Sequence, residues 1–200
     1  MKRLALLTAL LALAATAQAA PEIYIIDNSQ SVTNFSFKYL GVPSRANKFE
    51  KTSGKVMFDH AHNTGSVDVT IDATSINTGY TIFNNLMQSG DFFDSANFPV
   101  ITFKSNKMTL DGNNMYMSGD LTIKNMTRPV TLTISRFECV QHPVYKVEAC
   151  EANVSVTVKR SDFNMGKFSM LASNEVTLDI TIGAMKADPL IQLAARDNAK

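Results

Sequence analysis

The sequence predicts an all-β, antiparallel fold, and three observations carry that prediction. About eight stretches alternate apolar and polar residues with the period of a half-buried strand. Turn-forming residues recur roughly every ten positions. Before the tail, where Leu190, Ile191 and Leu193 suit either a helical turn or a frayed end, only residues 81–88 set apolar side chains at helical spacing. Short strands joined by close turns pair with antiparallel neighbours. The pattern fits both a sandwich and a closed barrel, and about eight strands closed on themselves leave an interior able to hold one ligand.

Residues 22–27 (EIYIID) alternate weakly and form an opening strand, after which residues 28–30 turn. Across 32–40, Phe35, Phe37 and Tyr39 share one face while Asn34, Ser36 and Lys38 share the other, the mark of a half-buried strand. Pro43, Ser44, Arg45 and Asn47 make 41–48 a polar loop. A strand resumes over 54–58 and ends in a turn over 59–65. Residues 66–72 are the clearest strand, with Val67, Val69 and Ile71 pointing one way and Asp68, Thr70 and Asp72 the other.

Ile82, Phe83, Leu86 and Met87 predict a short amphipathic helix that turns its apolar face to the core. The helix delivers SGDFFDSANFPVITF, residues 89–103, in which Phe92, Phe93, Phe98 and Phe103 crowd together. Each buried ring is worth roughly 1.5–3 kcal/mol, and Gly90 and Pro99 interrupt regular structure. The stretch therefore reads as an aromatic plug that turns the chain into a new strand. Residues 100–104 and 107–110 are strand, 111–114 turn, 115–124 strand and 125–129 turn. Val130, Leu132 and Ile134 then alternate with Thr131, Thr133 and Ser135, and Val154, Val156 and Val158 alternate with Ser155, Thr157 and Lys159. A loop over 160–167 carries Phe163, Met165 and Gly166. The last strand sets Val176, Leu178, Ile180 and Ile182 against Thr177, Asp179 and Thr181.

The first residues read as a processing signal: Lys2 and Arg3, an apolar run over 4–15, then Ala17, Gln18 and Ala19 in the small-x-small order. Cleavage after Ala19 is expected, because cutting one residue later would put Pro21 first. The run is too short to cross about 30 Å of hydrocarbon, and no later stretch approaches the ~18 apolar residues a spanning helix needs. The expected organisation is a signal peptide over 1–19, one domain over 20–187 and a C-terminal tail over 188–200, in an exported protein, periplasmic or secreted, without a stable membrane anchor. Roughly 180 residues are enough for one sizeable core. A net charge of +1 argues against a nucleic-acid footprint, which needs a basic face or stripe that this sequence does not show.

Cys139 and Cys150 are the only cysteines. Export makes a disulfide their default state. A hairpin folded about Val144 and Tyr145 would face them across the strands and staple a loop for about 3 kcal/mol in the chain-entropy model. The rival reading, a redox pair, lacks the CxxC spacing.

Catalytic chemistry needs convergent titratable groups, and the chain offers few. His60 and His62 lie in a DHAHNTG turn with no cysteine beside them, and His142 adjoins Pro143 in the stapled hairpin. There is no GxSxG, no HExxH and no glycine-rich phosphate loop. The expectation is a non-enzyme with no catalytic residue, no metal and no cofactor. The inward strand faces carry Phe, Val, Ile, Leu and Met almost without charge, which suits either close packing or an apolar ligand.

The motifs TSINTG (74–79), LMQSGDFFDSANFPVITFKS (86–105), GDLTIKNMTRPVTL (119–132), KRSDFNMG (159–166) and SNEVTLDITI (173–182) together resemble the YceI-like polyisoprenoid-binding family over nearly the whole chain after residue 20. The resemblance implies an extended, eight-stranded, lipocalin-like barrel enclosing an apolar tunnel for an isoprenoid such as a polyprenyl phosphate or a quinone-like molecule. On that reading Phe35, Phe37, Val69 and Ile71 line the tunnel with Ile82, Phe83 and Leu86 of the helix, Phe92 of the plug, and Leu121, Ile123, Leu132 and Met165. Lys38, Arg45 and Arg160 are the cations placed to meet a headgroup. Where members of the family carry a charged helix, this chain has Ile82, Phe83, Asn84, Asn85 and Leu86, which favours a neutral or weakly polar headgroup, or a bare acyl chain, over a pyrophosphate. Two rivals stand beside this reading: a stress-response or secreted interaction protein whose barrel is filled by its own side chains, and an enzyme on a lipid-linked substrate using His60 or His62. The oligomeric state stays open, a homodimer included.

Overall fold

The computed structural model describes residues 21–43, 47–59, 62, 64–111 and 114–188. The chain enters through β1 (Glu22–Ile26), and a 3-10 turn at Asn28–Gln30 bends it into β2 (Val32–Ser36). The Asp27 carboxylate caps that turn by accepting from the Ser29 N–H at 2.9 Å. A rim hairpin, β3 (Lys38–Tyr39) with β4 (Val42–Pro43), precedes β5 (Asn47–Phe49) and β6 (Thr52–Asp59). β7 (Thr64–Asp72), a second 3-10 turn at Ala73–Ser75 and β8 (Ile76–Asn77) lead to the helix α1 (Thr81–Gln88). The remaining strands are long: β9 (Val100–Asp111), β10 (Asn114–Ile123), β11 (Met126–Gln141), β12 (Glu148–Lys159) and β13 (Glu175–Lys186).

Eight strands close an antiparallel barrel in the order β1, β6, β7, β9, β10, β11, β12, β13 and back to β1. The chain thus chooses a barrel over a sandwich. The seam is shared along one strand, since β13 pairs with β1 through Ala184–Lys186 and with β2 through Thr177–Thr181. Beyond β2, the wall continues through β5 and β8. The two 3-10 turns and the break between β5 and β6 therefore cut the first three wall strands in two, letting the wall bend while staying paired. Ser75 holds this break, its Oγ accepting from the Glu50 and Lys51 N–H groups at 3.1 Å each.

Several turns are shorter than the sequence pattern predicts. Lys124 and Asn125 alone, both with positive φ, connect β10 to β11, a two-residue hairpin in place of the expected turn over 125–129. Pro129 sits within β11, opposite Asp120. It is tolerated because β12 joins β11 only from Thr133 onward, so the missing N–H faces no partner. Residues 41–48 are likewise not all loop, since β4 and the start of β5 fall within them. Tyr39 does not follow Phe35 and Phe37 inward: the strand breaks at Phe37 and Tyr39 is 51% exposed.

The main core gathers Phe35, Phe49, Ile71, Ile101, Phe103, Leu121 and Phe163. A smaller cluster at the opposite end holds Tyr24, Ile26, Phe58 and Ala184, with Cys150 and Ile182 packed against it. The plug is wound tightly, the Phe93 N–H donating to the Met87 carbonyl and the Phe98 N–H to the Asp94 carbonyl. Phe93 packs edge-on against Phe49, ring centroids 5.2 Å apart, and against Phe35 at 6.0 Å. No helix among the described residues is long and apolar enough to cross a membrane. The expected signal peptide and most of the tail lie outside the described residues.

Candidate functional site

The barrel encloses a cavity of about 200 Å³, on a measure by which one water needs about 10–15 Å³. Its walls come from every strand of the ring, because period-2 alternation turns each second side chain inward. Nine of the twelve residues expected along a tunnel are brought together on this wall: Phe35, Phe37, Val69, Ile71, Phe92, Leu121, Ile123, Leu132 and Met165.

Ile82, Phe83 and Leu86 are not among them. They are 76%, 51% and 38% exposed, and Met87 is the one helix residue that is buried and reaches the cavity. The correction has a physical cause. An eight-residue helix on the barrel rim has only a small contact with the wall, so its most apolar stripe need not be the stripe that packs. Phe83 instead packs edge-on against Tyr80, ring centroids 5.9 Å apart, on the outside.

Other wall residues went unseen in the sequence. Tyr24 and Phe49 sit in strands whose alternation is too short or too weak to read. Five of the ten methionines, Met87, Met108, Met115, Met117 and Met165, line the cavity, and unbranched thioether side chains give a wall that re-forms around different occupants. The excess of methionine in the composition was the available signal.

The three headgroup cations fare differently. Lys38 is exposed in the rim hairpin, and Arg45 lies outside the described residues. Arg160 lines the cavity and is 5% exposed. Its Nε donates to the Ser173 carbonyl at 2.9 Å, one Nη to the Ala172 carbonyl at 2.9 Å, and the other Nη to the carbonyls of Met165 and Lys167. Burial lowers its pKa. The planar fork thus ties down the 160–174 loop through backbone oxygens. That loop matters to the wall: on the N-terminal side of Thr133, β11 has no β12 partner, and the turn Arg160–Phe163 packs against both strands, burying Phe163 at 1% exposure.

At the other end the wall is polar at one point. The buried Tyr24 phenol shares its one proton between Glu148 at 2.8 Å and Glu22 at 3.0 Å, and Lys186 pairs with Glu22 at 2.6 Å. Burial, then the two carboxylates, push the phenol far above its ordinary value, so it stays protonated. Cys139 and Cys150 form a disulfide between directly opposite residues of β11 and β12. His62 is exposed at a hairpin turn, its Nδ1 2.7 Å from the Asp59 carboxylate, and is not part of the cavity wall, while His60 lies outside the described residues.

Residues 24–184 match the YceI-like domain. Protein YceI of Escherichia coli O6:H1 is 30% identical over 157 residues, which span 78% of this chain and 82% of that protein. The crystal structure of BcnA from Burkholderia cenocepacia is similar with a TM-score of 0.69 at 28% identity, covering 79% of this chain and 98% of that one. A polyisoprenoid binding domain from Saccharophagus degradans, 19% identical, shares the fold with a TM-score of 0.58 and covers 82% of this chain and 98% of its own. With the domain match spanning most of its length and the same closed barrel around an apolar interior, this chain belongs to the YceI-like family.

Proposed function

We propose that the protein is a periplasmic or secreted carrier that shelters the apolar tail of an isoprenoid lipid, a polyprenyl phosphate or a quinone-like molecule, inside the barrel. It makes and breaks no bond. The observation that carries the reading is the cavity itself: seven of the eight strands wall it with Phe, Val, Ile, Leu and Met, β1 adds Tyr24, and these side chains leave it unfilled. An unfilled interior supports this reading over the first rival, a barrel packed solid by its own side chains. Each buried methylene contributes about 0.8 kcal/mol of transfer free energy, so a tail is held without a strong polar anchor. The relative named for polyisoprenoid binding supports the choice of tail.

Arg160 commits its donors to four carbonyls, which favours a neutral or weakly polar headgroup at the rim near Lys38 over a pyrophosphate seated on Arg160. The test is mass spectrometry on an organic extract of protein purified from its native host without detergent. The expected result is a prenyl or quinone species at close to one per chain. An extract holding no such species overturns the reading.

A further inference from the structure

The disulfide stands beside a carboxylate that the barrel holds in place. Cys139 and Cys150 have Cα atoms 4.0 Å apart, and one carboxylate oxygen of Glu148 and the two sulfurs all lie within 4.8 Å of one another. All three residues are half-buried. Glu148 Oε2 accepts from the Tyr24 phenol at 2.8 Å, while among the described residues no hydrogen bond engages Oε1. The pairs Glu138 with Glu151 and Val140 with Ala149 flank the cysteines on the same ladder, so backbone pairing keeps the two sulfurs opposed whether or not they are bonded.

We propose that, once the disulfide is opened by a dithiol reductant, Cys139, Cys150 and Glu148 form a binding site for a thiophilic divalent cation of the zinc class. Reduction adds two electrons and two protons to the sulfur–sulfur bond and leaves two thiols, while the dithiol departs as its own disulfide. The cation then displaces both thiol protons to solvent. Two thiolates and one carboxylate fill three tetrahedral positions, leaving the fourth to water. The donor set suits zinc over calcium or magnesium, which take oxygen ligands. Tyr24 acts as a positioning residue, since a hydrogen bond to the far oxygen of a ligating carboxylate orients it. Because Cys150 also lines the cavity, the cation would sit at the end of the barrel away from the helix, making occupancy of that end dependent on redox state.

The experiment reduces the purified protein with a phosphine, removes the reductant under anaerobic conditions, and titrates with Co²⁺ and then Zn²⁺ against a chromophoric chelator. Expected are one equivalent bound, a thiolate-to-cobalt charge-transfer band, and no binding by the oxidised protein. Glu148→Gln should weaken the affinity about 10-fold or more while both thiols remain titratable, Tyr24→Phe should weaken it within the ~10–100-fold range of outer-shell changes, and Cys139→Ser with Cys150→Ser should abolish the band. Equal binding by the oxidised protein, or by Glu148→Gln, overturns the proposal. So does a reduced chain that loses its β-sheet circular dichroism, because the ladder would then not hold the ligands.

Discussion

The phenol of Tyr24 on β1 donates to the Glu148 carboxylate on β12 at 2.8 Å, reaching past β13 to join residues 124 positions apart. A buried phenol held between two carboxylates keeps its proton to a higher pH than it does in the unfolded chain. Its contribution is therefore fully present below the ordinary phenol value of about 10 and is lost as pH rises from there toward the raised folded value. Tyr24→Phe should cost roughly 1–3 kcal/mol at neutral pH, since it leaves carboxylates short of a donor. It should also flatten the alkaline fall in stability. Urea unfolding at about pH 8 and about pH 11 checks both.

Leu132 faces the cavity from the part of β11 that β12 does not cover. Leu132→Trp should occupy space that is empty, cutting lipid recovered per chain several-fold. Its cost in stability should stay below the roughly 1–3 kcal/mol typical of overpacking a filled core. Extraction with mass spectrometry, alongside thermal melting, separates loss of room from loss of fold.

Arg160→Lys keeps the charge and discards the planar fork. The carbonyls of Met165, Lys167, Ala172 and Ser173 would lose donors together, for about 2 kcal/mol or more. Hydrogen exchange should show residues 164–174 opening first, with β13 remaining protected.

Gly119 lies where the register between β9 and β10 shifts, and a Cβ there would meet the Lys104 carbonyl and come within 2.8 Å of the Phe103 ring. Gly119→Ala should destabilise by about 1–3 kcal/mol, lowering the melting temperature by roughly 2–4 °C for each kcal/mol in a domain of this size.

The double change Ile82→Asn with Phe83→Ser touches side chains that point outward. It should leave lipid content unchanged and move stability by no more than about 0.5 kcal/mol. A large fall in bound lipid would show that the outward face of α1 contacts the tail after all.

Alternation made the wall legible. Val69 and Ile71, Leu121 and Ile123, and Leu132 were found because a strand sends every second residue to one side whatever its partner. The helix was legible as a helix but not in orientation, since periodicity gives the apolar stripe and says nothing of which neighbour is long enough to cover it. Pro129 was misread because a proline punctuates the chain only where its missing N–H would be needed, and that depends on where β12 stops. Arg160 looked like a headgroup ligand because a lone arginine after a strand carries no sign of the four carbonyls that a later loop brings to it.

The sharing of β13 between β1 and β2 bears on how the protein is made. The first strands to leave the ribosome have to wait for the last one, because both seams close on residues 177–186. Until those residues are synthesised, the ring of strands cannot close, and its apolar inner surface stays open to any passing hydrophobe. A carrier built this way would have its lipid within reach at the moment of closure, and a nonsense codon anywhere before residue 175 would leave a fragment for proteases to clear.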